Sequence, residues 1–551
     1  MVLCLLRFTQ ALRTNVGSLG KHAILRRMST YDFIVCGAGT AGCILANRLS
    51  ADGSAKVLLL EAGHQPRHPL VPAIGAAIDH WDGPLDWAFR STPQEHLNGR
   101  QILLNRGKVL GGSSTINFGM YVRGNAGDYN HWAQLGNTGW SYDDVLPYFR
   151  RSEANASIDN DYHGSDGPIS IEDPKNTNPI HEMYFEALER MGVPRTPDYN
   201  GAQQEGSLNY QYTSRNGRRV SAADGFLSPV IDRPNLTVVT GAQITGLLID
   251  KDKVKGVHYA KGRAAELAQA NETILSLGAI GSPQALLLSG IGPAEELAAQ
   301  GITPVHDLAG VGKNLLDHFS GPRVAIVLKD PEKYGFPIPS HEASLAQFEK
   351  DGSGPLATCA IDAGAFVRLR PTDDYPSIQH FCTVSNGHRN RNDPPPRVSI
   401  YGYVCRTLSQ GEITLASDSP FDRPLINPRY LSDPEDLERN IELTQWSHEL
   451  ADQAPFDKIR ADVMGPGRDR EAIIAATRNE ISTTWHQTST CRMGTDERAV
   501  VGADLRVHGM KGLRVVDASV FPTMTTGNTN APTMMVAEKG ADLILGKTLD
   551  S

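Results

Sequence analysis

The sequence predicts an α/β protein. A doubly wound, Rossmann-like nucleotide-binding domain is built from discontinuous segments and interrupted by a second domain of α+β character. Three observations carry this. The chain has 551 residues, well beyond the ~250–300 at which single cores stop growing. Near its start, Tyr31–Gly63 reads as strand, glycine turn, helix and strand. Near its end, after a long middle of different texture, glycine-rich turns return, with a short strand at Leu513–Val516 and a closing helix from about Pro532 to Leu545. The nucleotide-binding part therefore opens the chain and is re-entered at its end.

Each element follows from local pattern. Tyr31–Cys36 is a β-rich run, Gly37–Gly42 reads GAGTAG, and Cys43–Leu49 continues with helical spacing. Lys56–Leu60 is a second apolar run that ends in Glu61. The stretch 64–105 is turn-rich and aromatic, and a second glycine cluster spans Arg106–Asn117. Strands are expected at Leu236–Val239, Gly241–Ile249, Lys255–Ala260 and Glu272–Leu277. Between about 319 and 480 come the strand-like runs Ser377–Val384, Val398–Val404 and Glu412–Leu415, and a helical run near Pro434–Asp452. The divisions that follow are a leader at 1–30, a mainly nucleotide-binding region at 31–318 with inserted substrate-side segments, a mainly substrate-binding region at 319–484, and a C-terminal return at 485–551.

Composition excludes several classes. The net charge is −9, so a basic nucleic-acid footprint is absent. No stretch approaches the ~18 apolar residues of a membrane span. Seven scattered cysteines with no CxxC pair argue against a disulfide scaffold or a zinc site, and no metal is expected. The charge is uneven, because Arg7, Arg13, Lys21, Arg26 and Arg27 precede the first acid, Asp32. This acid-free leader resembles a mitochondrial transit peptide. Val2–Leu6 as the apolar run of a secretory signal, or a cytoplasmic product starting at Met28, are the competing readings.

The GAGTAG turn follows a strand and opens a helix, which is the context that makes a glycine motif informative. Gly37 permits the tight turn, Gly39 lets the backbone approach a pyrophosphate, and Gly42 allows close helix–strand packing. The phosphates sit on the helix N-terminus beside Thr40 and Ala41, where free N–H groups and the helix dipole favour negative charge. Glu61, closing the next strand, is placed to accept both ribose hydroxyls of an adenosine. An acid there disfavours NADP, and these residues leave NAD and FAD both open.

Four further stretches resemble the signature blocks of the glucose–methanol–choline (GMC) oxidoreductases: RGKVLGGSSTIN at Arg106–Asn117, GAIGSPQALLLSGIGP at Gly278–Pro293, VGKNLLDH at Val311–His318, and LRVVDASVFPTMTTGNTNAPTMMVAE at Leu513–Glu538. The resemblance runs from about residue 31 to 545 with the blocks in order. It implies FAD, a discontinuous FAD domain and a substrate domain on an antiparallel sheet. Matched by position, Gly111, Gly112, Ser113, Ser114 and Asn117 pass beside the flavin, Val239 touches the adenine, and Asp517 and Ala518 lie near the pyrophosphate and ribityl chain. Family members that hold flavin covalently do so through a histidine where this chain has Ile116, so FAD is expected to be non-covalent.

The resemblance also implies the catalytic pair. His486, in WHQTSTCRMG, matches the family's catalytic histidine, and Asn530 matches its second active-site position, the Asn-Ala-Pro-Thr context selecting it over Asn528. Alcohol oxidation removes a hydroxyl proton and a hydride from one carbon. A neutral imidazole suits the proton, and a second polar group holds the oxygen. His318 is read as cofactor-side structure. The expected activity is oxidation of a small-molecule alcohol to an aldehyde or ketone. Electrons pass to a quinone, another carrier or O2, and a dehydrogenase is preferred to an oxidase. Two alternatives are a non-redox hydroxynitrile lyase, and a fatty-acid photodecarboxylase, which the chain also resembles in part. The latter's cysteine and arginine positions align with Ile361 and Phe381, leaving Cys359 as the nearby thiol.

Overall fold

The computed structural model describes residues 30–175, 178–334, 341–385 and 395–548. The leader, apart from Thr30, lies outside the described residues, as does Pro394 of the proline cluster.

Two sheets organise the chain. In the first, seven strands run in the order Leu236–Thr240, Val57–Glu61, Thr30–Cys36, Ala264–Leu275, Lys253–Lys261 and Ala242–Asp250, with Leu513–Val515 beside Ala264–Leu275. The strands Leu236–Thr240, Val57–Glu61, Thr30–Cys36, Leu513–Val515 and the C-terminal half of Ala264–Leu275 are mutually parallel. Parallel strands are covered on both faces and so need continuous apolar runs, and Val57–Glu61 is buried at every position. The strand expected at Glu272–Leu277 begins much earlier, at Ala264. Its polar N-terminal half is recruited by antiparallel pairing with Lys253–Lys261, a tertiary gain that overrides weak local β preference.

The helix Thr40–Leu49 follows the first strand, and the closing helix spans Asn530–Leu545. The two pack on one another. Arg48 makes a bidentate pair with the fully buried Glu538 at 2.9 and 2.7 Å, and Arg151 adds a second cation at 2.6 Å. The first and last segments of the chain are thus clamped together.

The second sheet has eight strands, antiparallel throughout. Its central members are Val324–Leu328, Arg397–Val404, Ile378–Ser385 and Ala363–Val367. The edge strand Gly206–Asn209 comes from within the first half of the chain. Side chains alternate between faces. Ile378, Cys382, Val398 and Ile400 pack with Leu443 of the helix Pro434–Ala451, whereas Phe381, Tyr401 and Tyr403 form a separate aromatic cluster on the opposite face. Gln379 shares that second face by its register with Tyr403.

Among the described residues no helix is long and apolar enough to cross a membrane, and no group of three or more His, Cys, Asp or Glu is placed to hold a metal.

Beside the first sheet, Arg123 is completely buried and pairs with the equally buried Glu153, donating also to the Tyr162 carbonyl at 2.5 Å. His163 completes the knot, its Nδ1 2.8 Å from Glu153 and its Nε2 3.0 Å from Asp198. Removing one member of a buried pair strands the other charge. Arg123→Met is therefore expected to lower unfolding stability by about 3–5 kcal/mol, measured by denaturant titration, while the conservative surface change Arg506→Lys leaves it unchanged.

Candidate active site

The carboxyl ends of the parallel strands converge on one large cavity, the place where ligands bind in open α/β sheets. Its floor at one end is the GAGTAG turn. Gly37 has φ of 95°, a backbone state that glycine adopts freely. At Gly42 a Cβ would lie 1.8 Å from the Gly37 carbonyl oxygen, so helix and turn pack with no room for a side chain. Gly39 differs, because a Cβ there would meet nothing within 4 Å. It faces the cavity, leaving bare backbone for a ligand. The helix Thr40–Leu49 has no side-chain cap, so its first N–H groups also face the cavity unpaired.

Glu61 sits beside this turn and accepts from the Ala38 and Gly63 N–H groups at 2.8 and 2.7 Å. Burial pushes its carboxyl up to about 7 despite those donors, and hydroxyl donors from a ribose would restore its charge. Gly112, Ser113, Asn117, Asp517 and Ala518 all line the cavity. Asp517 is saturated by Ser282, Ser519 and the Gly278 N–H. Burial raises its pKa. An uncapped helix, open backbone and a ribose-facing carboxylate in one cleft fit an adenine dinucleotide.

Four expected cofactor residues stand behind the wall. Gly42 packs as described, and Gly111 donates its N–H to the Ala38 carbonyl. Ser114 bonds the Gly111 carbonyl and accepts from the Ala222 N–H. Val239 pairs with Leu60 across the sheet, and the cavity wall at that end is made by Ala242, Gln243 and Ile244 instead.

At the other end lies His486, 7% exposed. The antiparallel ladder of Phe319–Ser320 with Ser482–Thr483 brings the loops on either side together, so that Thr484 donates to the His318 carbonyl and the two histidines meet at 2.9 Å, Nδ1 to Nδ1. Asp317 holds this turn. It accepts from the His486 N–H, the Gln487 amide and the hydroxyls of Thr483 and Tyr430. Trp485 within it has φ of 61°, a state a bulky residue holds only when its surroundings impose it.

The structure pairs His486 with Asn528, not with Asn530. Asn528 Nδ2 lies 3.1 Å from His486 Nε2. The Asn530 side chain accepts from Thr40 at 2.9 Å, because Asn530 begins the closing helix and is turned toward the first one. His318, read from sequence as cofactor-side structure, is instead the direct partner of His486. Both asparagines stand in one block two residues apart, and the position of the helix start separates their partners.

These contacts form a directed chain. The Cys405 carbonyl can only accept, so His318 Nε2, 2.7 Å away, carries a proton. The His318 ring is neutral, its pKa driven down to about 3 by burial, which leaves Nδ1 as an acceptor. His486 Nδ1 must then donate, and its Nε2 keeps a lone pair. Asn528 donates to that lone pair while its Oδ1 accepts from Gln379 at 3.2 Å, and Gln379 accepts from Tyr403. Burial first, and then the neighbouring His318 ring and the Arg106 guanidinium, hold the His486 pKa well below the ordinary imidazole value. Gln379, Tyr403 and Cys405 carry no sequence motif. Only the sheet register reveals them.

Comparison with known proteins places this geometry. The two family models of the GMC oxidoreductases match residues 31–320 and 407–537. The chain is 40% identical to an alcohol dehydrogenase [acceptor] of Pseudomonas putida over 94% of this chain and 96% of the relative. It is also 40% identical to an oxygen-dependent choline dehydrogenase of Pseudomonas fluorescens, over 94% of each. Among solved structures, pyridoxine 4-oxidase from Mesorbium loti superposes with a TM-score of 0.85 at 29% identity, covering 94% of this chain and 99% of that one.

Because its Cβ would project into the cleft without touching protein, Gly39→Ala is expected to fold with an unchanged circular dichroism spectrum and to lose cofactor affinity by about tenfold or more, ~1.4 kcal/mol or above. Flavin absorbance remaining after gel filtration measures it. Gly42→Ala, by contrast, should fail to fold.

Proposed function

Since the chain belongs to the GMC oxidoreductases, and its cofactor is FAD, we propose that it oxidises an alcohol to the aldehyde or ketone with His486 Nε2 as the proton acceptor and Asn528 as the group that orients the substrate oxygen. The observation that carries this is the directed chain from Cys405 through His318, which leaves the Nε2 lone pair facing the cavity. Bound FAD supplies the two-electron acceptor for the hydride that leaves the carbinol carbon. All other work falls to the protein.

A substrate hydroxyl entering between His486 and Asn528 replaces their 3.1 Å contact. Its proton points to Nε2, and its oxygen accepts from Asn528 Nδ2. This fixes two of the three directions at the oxygen and so orients the carbon. Gln379 and Tyr403 act as positioning residues, holding the Asn528 amide with its NH2 toward the substrate. The low pKa of His486 keeps the lone pair available far into the acid range. It also makes the imidazolium costly beside Arg106, so the proton moves onto Nε2 as the hydride departs. Asn530, bonded to Thr40, holds the two helix N-termini together at the cofactor. Ile116, in the cavity wall, has no nucleophilic atom, which supports non-covalent FAD. The acceptor that reoxidises the flavin is a quinone, another carrier or O2, with a dehydrogenase favoured.

His486→Ala is expected to lower kcat/KM by about 10²–10⁴ with FAD content unchanged, assayed with a dye acceptor and in parallel with oxygen alone. Turnover with oxygen equal to that with the dye would make the enzyme an oxidase. No flavin bleaching by any alcohol under anaerobic conditions would overturn the redox reading.

For the wild type, protonation of His486 removes the base, so activity is lost as pH falls through its pKa. Since that pKa lies below ~6.5, the plot of log kcat/KM should be flat through pH 6.5 and bend only at lower pH. Gln379→Glu cannot donate to Asn528 Oδ1 when ionised. It should reduce kcat and shift that acid limb, a change that a purely structural role for Gln379 would not produce.

A further inference from the structure

Three half-buried rings stand together in the cavity wall beside His486. Trp81 and Trp485 lie with centroids 4.5 Å apart and planes tilted by 48°. Phe118 meets both edge-on, at 5.4 Å from Trp81 and 6.0 Å from Trp485. Two anchors hold them: Trp81 donates to the Ile116 carbonyl, and Trp485 donates to Asn105 at 3.1 Å. Ring surface left open inside a cavity is ligand surface.

Two alcohol classes could use such a box. A quaternary ammonium such as choline binds aromatic faces through cation–π attraction, but it also loses its water and needs a counter-charge. An uncharged aryl alcohol needs only the rings. The charges around the box decide between them. Among the described residues that wall the cavity, three are acidic: Glu61, Asp422 and Asp517. Glu61 and Asp517 belong to the nucleotide end. Asp422 lies beside Gln284 and Gln243, whose amides donate to the Asp422 and Pro420 carbonyls. Asp317, behind His486, has its oxygens filled by four donors and is outside the wall.

The charge that does face the box is positive. Arg106 is in the wall and donates to the Trp485 carbonyl at 2.5 Å. A cationic substrate would meet aromatic faces backed by a guanidinium, while the carboxylates that offset Arg106, Asp317 and Asp86, are outside the wall and offer it no contact.

We infer that the substrate is an uncharged alcohol carrying an aromatic ring, seated against Trp81, Phe118 and Trp485 with its hydroxymethyl group at His486, and that choline is rejected on charge. This rests on the alcohol-oxidising reading above and sharpens it.

The test uses the FAD-loaded enzyme and three alcohols: benzyl alcohol, choline, and choline's uncharged carbon isostere 3,3-dimethylbutan-1-ol. Dye-coupled kcat/KM should fall in the order benzyl alcohol, dimethylbutanol, choline, with the isostere ahead of choline by at least roughly tenfold. Choline equal to or better than its isostere would overturn the inference while leaving alcohol oxidation intact. Binding is read separately, as quenching of tryptophan fluorescence by each alcohol under anaerobic conditions. If nothing turns over, the redox reading fails, and this measurement still decides the inference. Stronger saturable quenching by benzyl alcohol than by choline supports it, and the reverse sinks it. Trp81→Leu should raise KM for benzyl alcohol more than for butan-1-ol, with kcat changed less than KM. An equal effect on both would make Trp81 structural only.

Discussion

The site depends on one constraint, which is that distant chain segments must be brought to a common edge and held there. The strand Thr30–Cys36 cannot pair the backbone groups of either edge alone. It takes Val57–Glu61 on one side and Ala264–Leu275 on the other, and Leu513–Val515 joins from beyond the second domain in the chain. What holds the returning segment in place is the helix pair Thr40–Leu49 and Asn530–Leu545, clamped by Arg48 on the buried Glu538. Glu538 is fully buried, so its charge is tolerated only while both arginines reach it. The same clamp aims two helix N-termini at one cleft, and the Thr40–Asn530 bond joins them there.

The catalytic end shows a parallel economy. His486 sits in a turn whose backbone is strained at Trp485 and held by Asp317. The hydrogen-bond chain from Cys405 to Tyr403 begins at the end of the strand Arg397–Val404 and returns to that strand through Gln379 of its neighbour Ile378–Ser385, because Gln379 and Tyr403 are register partners. A carbonyl at one end sets the direction of every donor along it. Tautomer choice, which a histidine in water would leave nearly balanced, becomes a property of the sheet. The aromatic box and Arg106 line the same cavity as the lone pair so created.

How far the sequence could be read varied with how local each feature was. Strand and helix positions were legible wherever apolar period and glycine turns agreed, as at Tyr31–Gly63 and Pro434–Asp452. The strand at Ala264–Glu272 was not, since its alanine, glutamate and glutamine residues become a strand only through pairing with Lys253–Lys261. In the site, Gly37, Gly39, Glu61 and His486 stood out because motif and chemistry coincide. Asn528 did not, because its neighbour Asn530 is the same residue type and the boundary of the closing helix lies between them.

The order of residues was enough for the α/β class and a dinucleotide turn, because glycine turns and apolar period are properties of short segments, and its resemblance to the GMC oxidoreductases implied FAD and the histidine of an alcohol-oxidising site. Tertiary structure alone decided which asparagine faces His486, which imidazole nitrogen is free, and which charge faces the aromatic rings. Those depend on the directions of side chains brought together from residues some 40 to 380 positions apart, and direction is set by sheet register and helix ends rather than by order along the chain.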